Sequence, residues 1–154
     1  MKKLLLSALV VGSMSISSFA YDANQAKKLQ NFYSGFTQEA CAKSNLFIEG
    51  DEVMKMLRDK KKVTLLDVRT VGEHAVVSMG LDNSVFIPMK DLFKAENLNK
   101  LPTDRPILIV CHSGVRALMA AVGLKQIGIK DVRVVKDGLA GLALANSVKN
   151  APIK

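Results

Sequence analysis

The sequence predicts an α/β fold: a five-stranded parallel sheet with helices on both faces. Three observations predict it. Short β-branched runs alternate with segments of helical period, the pattern of βαβ units joined by right-handed crossovers. The runs Val63-Thr64-Leu65-Leu66 and Ile107-Leu108-Ile109-Val110 are almost wholly apolar, as expected of parallel strands covered on both faces. Polar segments follow these two strands at once, and ligands of open parallel sheets bind beyond the carboxyl ends of the strands.

The chain has 154 residues. Residues 1–20 read as a secretory leader. Met1-Lys2-Lys3 is a basic start, Leu4 to Val11 is an apolar run broken only by Ser7, and Ser18-Phe19-Ala20 carries small residues at the two positions that a signal peptidase reads. Cleavage is expected after Ala20, with export to a periplasmic or fully secreted location. The apolar run is shorter than the roughly 20 residues that span a bilayer. An uncleaved amphipathic or anchoring helix is the alternative.

Residues 21–44 read as an amino-terminal helical extension. Ala26, Leu29, Tyr33 and Phe36 recur at helical spacing, so one amphipathic helix from Asp22 to about Ala42 is expected on the flank of the domain, with Gly35 as its weak point. Residues 45–150 form the single remaining domain, a size at which a chain buries a core without metals or disulfide staples. The first strand falls at Asn45 to Ile48. Gly50-Asp51 opens a helix with Val53, Met54 and Leu57 inward, and Val63 to Leu66 forms the second strand, ending at Asp67. Thr70 and Glu73 make a capping box that starts a short helix at Val71.

Val85-Phe86-Ile87 is the third strand, stopped by Pro88, and a polar helix is expected from about Lys90 to Ala95. Ile107 to Val110 is the most apolar strand and hence the expected centre of the sheet. Val115, Leu118, Met119 and Val122 make the stripe of the next helix, which Gly128 terminates. Val132 to Val135 is the fifth strand, and Asp137-Gly138 leads into a last apolar helix through about Ala145.

Basic residues exceed acidic ones by eight, and by six once Lys2 and Lys3 leave with the leader. That balance favours anionic small molecules, acidic partners or a membrane surface. Nucleic acid is excluded because the basic residues are scattered, aromatic residues make up only 5% and the chain is read as exported. Lys60-Lys61-Lys62 reads as a solvated helix end. Cys41 and Cys111 are too few for a disulfide scaffold, and no Cys/His cluster has zinc spacing, so neither metal nor cofactor is expected.

Chemistry concentrates in Cys111-His112-Ser113-Gly114-Val115-Arg116, the turn from a buried strand into a helix. The helix amino terminus carries roughly half a positive charge, and Arg116 adds a full one. Both favour a thiolate, the nucleophilic form of cysteine. Gly114 permits the sharp bend and lets backbone approach a ligand closely. The six residues therefore read as an activated cysteine in an anion cradle. His112 holds the thiolate, contacts substrate or is a solvated rim residue; Ser113 bonds a terminal sulfur or stabilises the turn. Asp67 and Arg69 are read as a strand-end ion pair that braces the loop rather than as catalytic groups, and Glu73 as a helix cap rather than an acid.

The chain resembles the rhodanese family. Leu65-Leu66-Asp67-Val68-Arg69 with Glu73 looks like that family's second-strand motif, Phe86-Ile87-Pro88 like its third-strand ending, and Cys111 to Arg116 like its catalytic loop. Asp137-Gly138-Leu139 falls at the family's glycine-containing turn. The resemblance covers about residues 45–144. Two positions depart from it: Val77-Ser78-Met79-Gly80-Leu81-Asp82-Asn83 stands where the family carries Gly-His-hydrophobic-Pro-Gly, and Leu142 lies near where an aromatic residue is usual.

The resemblance implies a rhodanese-like fold and a ping-pong sulfurtransferase of the thiosulfate type. Cys111 would carry a persulfide, the loop residues His112, Ser113, Gly114, Val115 and Arg116 would bind a small anionic donor, and a thiol or cyanide would accept the sulfur. One alternative is a non-catalytic sulfur carrier or partner-binding module. Another, a phosphatase or arsenate reductase, places five residues between cysteine and arginine where this chain has four, His112 to Val115. Cys41 is either an inconsequential thiol or a redox partner of Cys111.

Overall fold

The computed structural model describes residues 20–147; the segment expected to be a leader, residues 1–20, lies outside them but for Ala20. The described residues fall into two compact units that divide between Thr37 and Gln38. The first contains helix α1, Ala23–Tyr33, capped by the Asp22 carboxylate, which accepts from the Gln25 N–H at 2.9 Å. Phe32, Tyr33 and Phe36 pack their rings on one another.

The second unit opens with α2, Gln38–Ala42. The single helix expected over Asp22 to Ala42 is thus two, interrupted over residues 34–37, the stretch that holds Gly35. Neither helix has a buried residue; of the expected stripe, Ala26 and Leu29 are half-buried and Tyr33 and Phe36 are exposed.

The rest of this unit alternates strands and helices. β1 (Phe47–Ile48) leads to α3 (Gly50–Arg58), β2 (Thr64–Asp67) to α4 (Val71–Val76), and β3 (Ser84–Phe86) to the short helix α5 (Ala95–Leu98). β4 (Ile107–Val110) leads to α6 (Val115–Gln126), and β5 (Val132–Val135) to α7 (Gly138–Ala145). All strand pairs are parallel, in the order β1-β5-β4-β2-β3, so β4 is central as its composition predicts.

The wholly apolar strands bury side chains on both faces. Ile107 and Ile109 of β4 join Leu66 of β2 in one cluster with Ala117, Ala120, Ala121 and Leu124 of α6. Leu108 and Val110 point the other way and join Leu65, Val53 and Met54 of α3, and Leu142 of α7 in a second. Each fully buried aliphatic side chain contributes about 1.5–3 kcal/mol relative to exposure. Leu142, near the position where the resemblance sets an aromatic residue, is itself buried.

Two expectations are corrected here. Of the expected α6 stripe, Leu118 packs against the core and Val122 is half-buried, but Val115 and Met119 are 67% and 62% exposed, and Ala117, Ala120 and Ala121 with Leu124 supply the buried positions. Small residues let the helix lie close to the sheet, and Gly123 is pressed against the Phe93 ring, 2.4 Å from where a Cβ would stand. The polar helix expected from Lys90 to Ala95 is instead a 3-10 turn over Met89–Asp91 followed by α5. Leu92 and Leu101 are buried and Leu98 packs on the same cluster, a spacing that no continuous polar helix starting at Lys90 provides.

No helix among the described residues is long and apolar enough to cross a membrane.

Candidate active site

The central strand delivers Cys111 to the carboxyl edge of the sheet, where it is 1% exposed. Gly114 takes φ +97° and serves as the amino-terminal cap of α6. This left-handed turn, open to glycine without strain, aims the Gly114 N–H at the Cys111 Sγ, 3.1 Å away. His112 and Ser113 are exposed at the rim, and Val115 points to solvent.

The flanking strand ends hold the loop from both sides. On one side Val68 N–H donates to the Val110 carbonyl at 2.9 Å. On the other, Asp137 and Gly138 adopt φ +57° and +56°, so the chain turns sharply into α7. The first amides of that helix then donate to the loop backbone: Leu139 N–H to the Cys111 carbonyl at 2.7 Å and Ala140 N–H to the His112 carbonyl at 3.4 Å. Helix-end donors that lack an intrahelical partner are satisfied by the loop itself.

Asp67 and Arg69 are buried, 1% and 3% exposed. Arg69 grips both carboxylate oxygens of Asp67, with Nη2 at 2.7 Å from Oδ2 and Nε at 3.0 Å from Oδ1. Burial pushes the Asp67 carboxyl up, but hydrogen bonds from Arg69 and His74 outweigh it and hold the group below its ordinary value. The His74 Nδ1 lies 3.0 Å from Asp67, and its ring stacks on Phe86. Arg69 also donates to the carbonyls of Glu73 and Val77, so the pair acts on α4 and the chain just after it.

Glu73 on that helix does more than cap it. Its capping box is present: Thr70 Oγ1 accepts from the Glu73 N–H, and Thr70 N–H donates to the Glu73 carboxylate. The same carboxylate also receives both terminal nitrogens of Arg116, at 2.7 and 2.5 Å. Arg116 and then Thr70 hold the Glu73 carboxyl far below the usual carboxylate range. Glu73 in turn raises Arg116 above its ordinary value against partial burial, and the Cys111 sulfur adds to that effect. A chain of contacts therefore runs from Asp67 through Arg69 and α4 to Glu73, and from Glu73 to Arg116. The bidentate geometry is the signal, and 43 residues of separation hid it.

Thr70→Ala is expected to lower stability by about 1 kcal/mol, the usual worth of an amino-terminal cap. The urea midpoint checks this; an unchanged midpoint would show that the cap contributes nothing.

The loop holds a nucleophile beside the Gly114 amide, the start of a helix and a guanidinium, and so can stabilise negative charge on a group attached to Cys111. Cys41 is an exposed free thiol on α2, Cys111 is a buried one, and no disulfide joins them. Among the described residues no group of three or more His, Cys, Asp or Glu side chains is placed to hold a metal ion.

A family model for the rhodanese-like domain matches residues 49–145, the stretch that contains strands β2 to β5 and the whole loop. The chain belongs to the rhodanese-like domain family. Within it, the protein is 32% identical over 92 residues to a probable adenylyltransferase/sulfurtransferase, MoeZ, of Mycobacterium tuberculosis, a match covering 60% of this chain and 23% of that one. The chain thus spans about a quarter of that relative. A sulfurtransferase of Allochromatium vinosum is 28% identical over 97 residues, covering 62% of this chain and 86% of its own. Among solved structures, a rhodanese-like domain protein from Staphylococcus aureus is 33% identical with a TM-score of 0.54, covering 62% of this chain and 88% of that one. This rhodanese-like domain therefore has sulfurtransferases among its sequence relatives and shares its fold with the Staphylococcus aureus rhodanese-like domain protein.

Proposed function

We propose that the protein is a rhodanese-type sulfurtransferase that moves sulfane sulfur from thiosulfate or a related anionic donor to a thiol or cyanide. One observation carries the reading: the Cys111 Sγ sits at the start of α6, hydrogen-bonded by the Gly114 amide, with Arg116 held in the same loop by Glu73. The Cys111 thiolate attacks the outer sulfur of thiosulfate. The sulfur–sulfur bond of the donor breaks, sulfite leaves with its electron pair, and Cys111 keeps a persulfide. An acceptor then attacks the terminal sulfur, and Cys111 departs as a thiolate. Loop amides and Arg116 balance the charge on the transferred sulfur in both steps.

Thiosulfate is expected to add one sulfur atom to the reduced protein at Cys111, and cyanide to remove it as thiocyanate. Intact-mass and peptide mass spectrometry read both steps. A label elsewhere, or none on reduced protein, would overturn the proposal. A label on Cys111 that no small thiol or cyanide removes would make the protein a sulfur carrier instead.

A further inference from the structure

Helix α4 carries the carboxylate that holds Arg116, yet it has no buried side chain. Its six residues are too few for a helix to persist in water by itself, and apolar packing does not hold it, for Val71 and Val76 are exposed. The Glu73–Arg116 pair is about one-third exposed on both sides, so it is too weak to fix the helix alone. Other contacts set its place on the sheet. Arg69 donates to the carbonyls of Glu73 and Val77. His74 supplies the rest, and no step of the sulfur chemistry uses it. Its ring lies flat on Phe86 of β3, with centroids 3.9 Å apart and planes 14° from parallel. Its Nδ1 stands 3.0 Å from Oδ2 of Asp67 on β2; that buried carboxyl is held in its ionised form, so the nitrogen carries the proton and donates.

We propose that His74 is a positioning residue for Arg116: it pins α4 across the ends of β2 and β3, so that the Glu73 carboxylate stays where both terminal nitrogens of Arg116 meet it. This rests on the sulfur-transfer reading, in which Arg116 balances charge on the transferred sulfur, and adds a residue that acts on the site without touching it. His74 follows Glu73 directly in the chain, so a shift of the helix that frees one moves the other. Without the ring contact and the hydrogen bond, α4 settles on its remaining anchors and the carboxylate moves with it. The guanidinium follows, and a displacement of about 1 Å at a reacting centre can cost about 100-fold in rate.

Two variants of the full chain separate the contacts. His74→Phe keeps a ring on Phe86 and loses the bond to Asp67, whereas His74→Asn keeps a donor near the place of Nδ1 and loses the stack. Each is expected to lower kcat/KM for thiosulfate about threefold, and His74→Ala, which loses both contacts, about tenfold. The deciding measurement is a double-mutant cycle with Glu73→Gln, which retains the capping box but not the ion pair. In that background His74→Ala should change kcat/KM by less than about twofold, because the contact through which it acts is already gone. Equal losses in both backgrounds, or none in either, overturn the proposal. A second readout needs no sulfur donor: the rate of Cys111 alkylation by iodoacetate relative to iodoacetamide, located by peptide mass spectrometry. A guanidinium beside the sulfur favours the charged reagent, so His74→Ala should lower the ratio at least about threefold, toward that of Arg116→Gln. An unchanged ratio overturns the proposal. Failure of thiosulfate to load Cys111 overturns the sulfur-transfer reading and leaves the alkylation ratio to decide the role of His74.

Discussion

Arg116→Lys is expected to lower kcat/KM for thiosulfate by about 100-fold or more, although the charge at the position is unchanged. Loss of one preorganised donor at a site of developing charge costs a factor of about 10²–10³. Arg116 is more than a point charge here. Its planar fork sends both terminal nitrogens to the two oxygens of Glu73, which places the guanidinium beside the Cys111 loop. An ammonium matches only one oxygen at a time, and its position varies on a flexible stem. The ion pair is about one-third exposed on both sides, so the fold should barely notice the change. Steady-state kinetics with a thermal melt separate the two effects: near-wild-type turnover by a folded variant would remove Arg116 from the chemistry.

Gly138→Ala is expected to destabilise the protein by about 3 kcal/mol and to cost most of its sulfur transfer, with no side chain of the loop altered. A Cβ at this position would stand 2.3 Å from the Cys111 carbonyl oxygen and 2.7 Å from the His112 carbonyl. Both obstacles are backbone, and they are the carbonyls that the first amides of α7 hold. The residue also has φ +56°, where a side chain costs roughly 1–2 kcal/mol, and overpacking adds a further 1–3 kcal/mol. Gly72→Ala is the control. It lies in α4 with nothing within 4 Å of the added carbon, so it should be neutral or stabilising. Equal urea midpoints for the two variants would show that the close approach of α7 to the loop is not what holds Cys111 in place.

Local chemistry made much of the fold legible. The five strands carry β-branched, apolar runs too short for helices, and the capping box of Thr70 and Glu73 needs only residues three apart, so each could be read from a window of the chain. The same holds for the loop, whose cysteine, glycine and arginine lie within six consecutive residues. The reading of α6 failed at two positions for a related reason. Hydropathy ranks Val115 and Met119 above alanine, yet the sheet rewards close approach, and Ala117, Ala120 and Ala121 permit it.

The sequence by itself therefore determined the α/β class, the central place of Ile107 to Val110 and the position of the nucleophile at that strand's carboxyl end. These depend on periodicity, on local caps and on composition within a few residues. Only the tertiary structure decided what Arg116 is bound to, why Gly138 must lack a side chain, and what holds α4 on the sheet. Glu73 meets Arg116 across 43 residues, and Gly138 meets the Cys111 loop because β5 lies beside β4 in the sheet. His74 of α4 meets Asp67 of β2 and Phe86 of β3. Such contacts arise from strand order and helix packing, which bring together residues whose separation along the chain carries no trace of the meeting.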